Sequence, residues 1–198
     1  MTVKNKYPLP LINKLINKLR GAKYFTKLDV RWGFNNVWMK EGDEWKAAFR
    51  TNQGLFKPLV MFFGVCNSLA TFQTMMDDIF DDLITEGVVV VYLDNILIFT
   101  ETLEEHWKVT WRVMELLRKN NLFLKPKKCK FEKTEVEYLR VIISQNSVKM
   151  DPVKVAGVTK WLNPSNRKEV QSFLGCTNFY RRFIQGFSHL AHPLFNLT

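Results

Sequence analysis

Residues 88–99 read Val-Val-Val-Val-Tyr-Leu-Asp-Asn-Ile-Leu-Ile-Phe, two apolar runs rich in β-branched residues joined by a tight polar pair. The pattern predicts a buried β-hairpin with Asp94 at its bend. A hairpin fixes a carboxylate before any ion arrives, which suits it to grip a divalent metal. Upstream, Tyr24–Val30 is a shorter strand pattern carrying Asp29, followed by Gly33 and Phe34. Two carboxylates from separate strands of a basic chain point to two-metal phosphoryl transfer on nucleic acid. Taken singly, each aspartate also fits an ordinary turn.

The chain has 198 residues, 46% of them apolar, enough for a substantial core in one or two domains. No apolar run approaches the length of about twenty residues that spans a bilayer, and the start lacks a signal-peptide pattern. An intracellular protein of cytoplasm or nucleus, without membrane association, is expected. Cys66, Cys129 and Cys176 are odd in number and far apart, supporting neither a disulfide framework nor a zinc site. The net charge of +10 is carried entirely by the C-terminal part, which from Arg118 onward holds fifteen Lys or Arg against five Asp or Glu. Such a basic stretch suits a phosphate-backbone grip, although a solvated face would look the same.

Pro8-Leu9-Pro10 opens a helical pattern ending at Gly21. Strands are expected around 24–30, 36–40 and 46–50, then a long helix from Asn67 to Glu86 whose Asp77, Asp78, Asp81 and Asp82 form its solvated face. After the hairpin, 102–121 reads as an amphipathic helix, and 128–131 and 136–143 as strands. From Asp151-Pro152 the pattern turns helical, near 152–162 and 166–184. The whole predicts an α+β fold, an antiparallel sheet with helices on one side, followed by a helical subdomain.

Taken together, Tyr7-Pro8-Leu9-Pro10, Phe25-Thr26-Lys27-Leu28-Asp29, Ala48-Phe49-Arg50-Thr51, Ala70-Thr71-Phe72-Gln73, Tyr92-Leu93-Asp94-Asn95, Lys128-Cys129-Lys130-Phe131, Met150-Asp151-Pro152, Ser172-Phe173-Leu174-Gly175 and Asn178–Ile184 make the chain resemble a known family. It is similar to the reverse transcriptase of gypsy-type long-terminal-repeat retrotransposons along essentially its whole length. The resemblance implies a right-hand polymerase, with palm and partial fingers in 1–144 and a helical thumb, or the start of a connection region, in 145–198. Its implied activity is RNA-directed DNA polymerisation from dNTPs on an RNA template with a DNA primer, using two Mg2+ or Mn2+ ions.

Asp29 and Asp94 match the family's metal-binding aspartates, and Asn95 stands where the second aspartate of the Tyr-x-Asp-Asp box is usual. At roughly 4 Å and an effective dielectric near 20, one lost charge is worth several kcal/mol against each metal charge before water compensates. Phe34, Phe63 and Gln73 fall in the implied nucleotide pocket, with Gly64 allowing close backbone approach. Tyr92, Lys128, Leu139, Arg140, Arg181 and Arg182 fall where the family meets template and primer. Further departures are Trp32 in place of a small residue, Phe62 and Leu69 in place of prolines, and Arg140 in place of glycine. With the family's N-terminal fingers segment absent before Tyr7, these imply impaired catalysis and an exposed surface open to association. The alternative is a non-catalytic nucleic-acid-binding remnant or a repurposed retroelement protein.

Overall fold

The computed structural model describes residues 2–198, which divide into two compact units. The first comprises the chain up to Val136 with Ser144–Asn146, and the second Glu137–Ile143 with Ser147–Thr198.

In the first unit, α1 (Ile12–Lys18) buries Leu15 and Ile16 and leads into β1 (Tyr24–Asp29). Residues 36–40, expected as a strand, make only an isolated Trp38–Val60 bridge, preceded by one 3-10 turn at Gly33–Asn36. The Asn36 side chain stops extension there by donating to the carbonyls of Arg31 and Gly33. The segment expected as a strand at 46–50 is instead a 3-10 turn, Glu44–Ala47, followed by β2 (Phe49–Thr51). β2 pairs with β3 (Gly54–Phe56) in an exposed hairpin.

Helix α2 (Ser68–Thr85) sets Phe72, Met76, Phe80 and Leu83 on one buried stripe. The predicted hairpin is present as β4 (Val89–Tyr92) and β5 (Asn95–Thr100), and α3 (Leu103–Lys119) follows. Thr102 caps α3, Glu104 and Glu105 lie in its first turn, and Arg118 and Lys119 lie in its last, each charge opposing the helix dipole. β6 (Lys130–Lys133) completes an antiparallel sheet of order β4-β5-β1-β6. Leu28, Val89, Val91, Ile96 and Ile98 form one core with the apolar stripes of α2 and α3. Val90 and Leu97, on the other face, are also buried, so the hairpin is covered on both sides as its unbroken apolar runs require.

The segment expected as one strand at 136–143 is two, β7 (Glu135–Tyr138) and β8 (Val141–Ser144), joined in one sheet with β9 (Ser147–Met150), and the greater part of this sheet belongs to the second unit. Leu139 and Arg140 both have positive φ, +49° and +69°. That pair of conformations reverses the strand within two residues and escapes a period-2 reading. Helices α4 (Pro152–Thr159) and α5 (Arg167–Phe179) follow, the first capped by Asp151 and the second by Asn166. The final predicted helix stops at Phe179, and α6 (Phe187–Phe195) runs on despite Pro193. Val170, Leu174 and Ala191 form this unit's helical core.

Candidate active site

Strand register builds the site. Asp29 is paired directly with Asn95, and Asn95 with Tyr92, at the end of β1, β5 and β4. Because side chains alternate along a strand, these three lie on the face opposite Leu28, Ile96 and Val91. The turn Leu93–Asp94 brings the second carboxylate beside them. Leu93 takes the left-handed conformation at φ +53°, and the Asp94 carbonyl accepts from Val30 N at 2.8 Å, tying the turn to β1.

Asp29 is buried at 7% exposure, with Lys125 Nζ 2.8 Å from Oδ1 and Lys128 Nζ 3.8 Å from Oδ2. Lys125 is brought there by backbone pairing, since its N–H donates to the Asp29 carbonyl at 2.9 Å. Oδ1 makes no aligned hydrogen bond, so the contact with Lys125 is electrostatic and leaves an anionic oxygen able to meet a cation. Asn95 Nδ2 donates to Asp94 Oδ1 at 3.1 Å. An aspartate at 95 would present a second negative charge in place of that donor. Two carboxylates and an amide oxygen are hard donors of the kind Mg2+ and Mn2+ take, and in that respect the residues fit such an ion. Among the described residues no group of three or more His, Cys, Asp or Glu is gathered for a metal.

The predicted pocket residues divide. Phe34 is half-buried on the one-turn helix after Asp29, edge-on to Phe72 with centroids 5.4 Å apart and 6.3 Å from Phe63. Phe63 itself is 86% exposed. Trp32 has left-handed backbone at φ +59° and stands in solvent with the Arg31 guanidinium 4.2 Å over its ring. Gly64 has φ +140°, with no heavy atom within 4 Å of where a Cβ would stand, so glycine serves the backbone conformation there and not close approach.

Gln73 faces the interior beside the Leu93–Asp94 turn. It is fully buried, its Oε1 accepting from Leu93 N at 2.8 Å and its Nε2 donating to Asp77 Oδ1 at 2.8 Å and weakly to the Val91 carbonyl at 3.4 Å. Its amide is therefore committed within the protein. Asp77 in turn departs from the solvated acidic face, because Tyr7 Oη donates to its Oδ2 at 2.7 Å. That bond holds the proton on Tyr7, whose pKa is pushed up to about 12, first by the hydrogen bond, then by burial and by the charges of Asp77, Asp78 and Asp81. The wide sequence separation of Tyr7, Asp77 and Leu93 hides this connection from any local pattern.

Of the residues read as nucleic-acid contacts, Tyr92 and Lys128 flank the carboxylates of the first unit. In the second unit, Leu139 and Arg140 form the β7–β8 turn, with the Arg140 guanidinium 5.7 Å over the Phe179 ring. Arg181 and Arg182 sit on a one-turn helix, over Phe187 and Phe183 respectively.

The family model described as reverse transcriptase (RNA-dependent DNA polymerase) matches residues 1–143. A retrovirus-related Pol polyprotein from transposon opus of Drosophila melanogaster is 41% identical over 198 residues, covering all of this chain and 20% of the relative. The Transposon Tf2-7 polyprotein of Schizosaccharomyces pombe is 39% identical over 193 residues, covering 98% of this chain and 14% of the relative. The chain thus spans a fifth or less of the length of these relatives. Among solved structures, a foamy viral protease-reverse transcriptase in complex with RNA/DNA hybrid superposes with TM-score 0.89 at 26% identity, over 98% of this chain and 26% of that one. The same viral protein, in a dRH form in complex with double-stranded DNA, gives TM-score 0.92 at 26% identity, over 98% of this chain and 34% of that one. An antiparallel sheet that pairs Asp29 with Asn95 beside Asp94, in a chain matched by that family over most of its length, is an α+β reverse transcriptase fold, and the chain belongs to the reverse transcriptase family.

Proposed function

We propose that this chain is the palm, partial fingers and helical thumb of a gypsy-type retrotransposon RNA-directed DNA polymerase, with 1–144 as palm and fingers and 145–198 as thumb. The observation that carries this reading is the register that sets Asp29 against Asn95 next to the Asp94 turn. Asp29 and Asp94 are the residues that would hold Mg2+ or Mn2+. Bound divalent ions supply activation of the primer 3′ hydroxyl and neutralisation of the triphosphate.

The chain's own residues have separable tasks. The β1 and β5 ladder fixes the two carboxylates relative to each other before substrate arrives. Phe34, braced by Phe72, offers a flat apolar wall for the sugar of an incoming dNTP, with Phe63 beside it. Tyr92 and Lys128 in the first unit, and Leu139, Arg140, Arg181 and Arg182 in the second, are assigned to the RNA template and DNA primer. The arginines and lysine meet phosphates without reading bases. Three free cysteines suit a reducing, intracellular setting, and no helix among the described residues is long and apolar enough to cross a membrane. The exposed β2–β3 hairpin, with Phe49, Leu55 and Phe56 open to solvent, is the surface through which the chain would associate.

A second reading is favoured by the charge of the site. Asn95 brings no charge, and Asp29 already has Lys125 and Lys128 beside it, an arrangement suited to a binding remnant that holds duplex without chemistry.

Primer extension on an RNA template separates the two, with the natural chain, Asn95→Asp and Asp29→Asn compared in Mg2+ and then Mn2+. Polymerase function predicts extension that rises with Asn95→Asp and vanishes with Asp29→Asn. Salt-sensitive duplex binding that ignores both substitutions, with no extension from any variant, would refute it in favour of the remnant.

A further inference from the structure

We propose that Tyr7, Asp77 and Gln73 form a hydrogen-bonded brace that fixes the turn carrying Asp94, making Gln73 and Asp77 positioning residues and tying the N-terminal segment to the site. The turn needs such support. Leu93 is a branched residue held at φ +53°, in the left-handed region that L side chains disfavour. Its N–H points back at α2 and meets Gln73 Oε1 at 2.8 Å.

An amide side chain has two ends that nearly superpose, so something must decide which end faces Leu93. Asp77 decides it. A carboxylate only accepts, so the end of Gln73 lying 2.8 Å from Asp77 Oδ1 must be Nε2, which leaves Oε1 for the Leu93 N–H. Tyr7 fixes the carboxylate in turn through its 2.7 Å bond to Oδ2, and its phenol keeps its proton well beyond neutral pH. The segment carrying Tyr7 is itself held on Asn67, which accepts from Asn5 N and donates to the Val3 carbonyl, both at 3.0 Å. Every polar group in the run from Tyr7 to Leu93 is thereby matched donor to acceptor. Gln73 touches no reacting atom, and its effect on the site passes through the position of Asp94.

The consequence for metal ligation rests on the polymerase reading, but the brace is tested without it. Backbone amide hydrogen exchange at Leu93 is measured by NMR on the 15N-labelled chain, with Ile96 and Phe80 amides as internal references for global opening. Gln73→Glu places two carboxylates face to face and Asp77→Ala removes the orienting acceptor. Each is expected to speed exchange at Leu93 by about tenfold, the equivalent of one hydrogen bond, while the reference amides hold. Tyr7→Phe is expected to give a smaller acceleration of about threefold.

The decisive variant combines Gln73→Glu with Asp77→Asn, which exchanges acceptor and donor across the pair while preserving the bonds to Leu93 and Tyr7. It is expected to return Leu93 to within about twofold of the natural rate. Should Gln73→Glu alone fail to fold, Asp77→Ala, Tyr7→Phe and the double exchange read the same bond. The proposal is overturned if Leu93 exchange is indifferent to Asp77→Ala, if the double exchange does not restore protection, or if the reference amides accelerate equally. A chain with no polymerase activity at all still gives this answer.

Discussion

Acidification should destabilise the first unit through His106, a residue of α3 that no catalytic argument uses. Its ring is fully buried, with Nε2 2.8 Å from Thr26 Oγ1 and Nδ1 3.0 Å from Thr100 Oγ1. The surrounding bonds assign its state. Thr100 Oγ1 donates its proton to the Thr102 carbonyl, so it accepts from Nδ1–H. Thr26 Oγ1 accepts from Glu132 N and gives its own proton to Nε2. The ring is therefore neutral, and burial lowers its pKa against the opposing charge of Glu132. With the folded pKa below the unfolded value of about 6.5, the unfolded chain takes the proton first. The stability His106 confers is complete above that pH and is lost as pH falls toward the folded pKa, by up to about 1.4 kcal/mol per pH unit. Replacement by a residue that cannot titrate isolates the effect. His106→Leu loses the Nδ1 bond and orphans the Thr26 hydroxyl proton, costing about 1–3 kcal/mol at pH 7.5. That gap should narrow at pH 5.5, because only the histidine-bearing chain loses stability as the pH falls. Urea unfolding followed by tryptophan fluorescence reads it, since five of the six tryptophans lie in the first unit. A gap that is constant, or that widens, between pH 7.5 and 5.5 would refute the neutral, doubly bonded ring.

Two further variants probe the second unit. Exchanging Leu139 for Asn and Arg140 for Gly supplies the residue pair that the two left-handed conformations favour. Less the cation–π contact of Arg140 with Phe179, this should stabilise the unit by about 1 kcal/mol in thermal melts, and a loss of stability would show the turn to be unstrained. Asn166 caps α5 reciprocally, its Oδ1 accepting from Glu169 N at 3.0 Å while its Nδ2 donates to Glu169 Oε1 at 2.8 Å. Asn166→Ala should cost about 1 kcal/mol, visible as faster exchange of the first-turn amides of α5. Glu169 is held below the usual carboxylate range, first by the backbone and hydroxyl bonds of Ser165 and then by Asn166. The cap's charged contribution is therefore present above the unfolded carboxylate pKa and lost as pH falls through the lowered one.

Local pattern fixed much of this protein. The unbroken apolar runs around Asp94 dictate a hairpin covered on both faces. The three-and-four spacing in Phe72, Met76, Phe80 and Leu83 dictates the helix that covers one of them. Asp29 and Asn95 are legible because each closes or opens a strand-like run, and Asp94 because it stands at the bend between two such runs. The exposed segment from 36 to 56 was not legible, because solvent-facing residues such as Trp38 and Phe49 carry strand-like chemistry without a burial pattern to enforce it. Pairings between distant residues required the tertiary structure. Only the folded chain puts Lys125 beside Asp29, seats His106 between two threonines, and turns Asp77 from a surface acid into the acceptor that orients Gln73. Sequence sets which faces are buried, a property of nearest neighbours along the chain. Hydrogen-bond partners across a packed interface depend on three-dimensional distance, which periodicity does not encode.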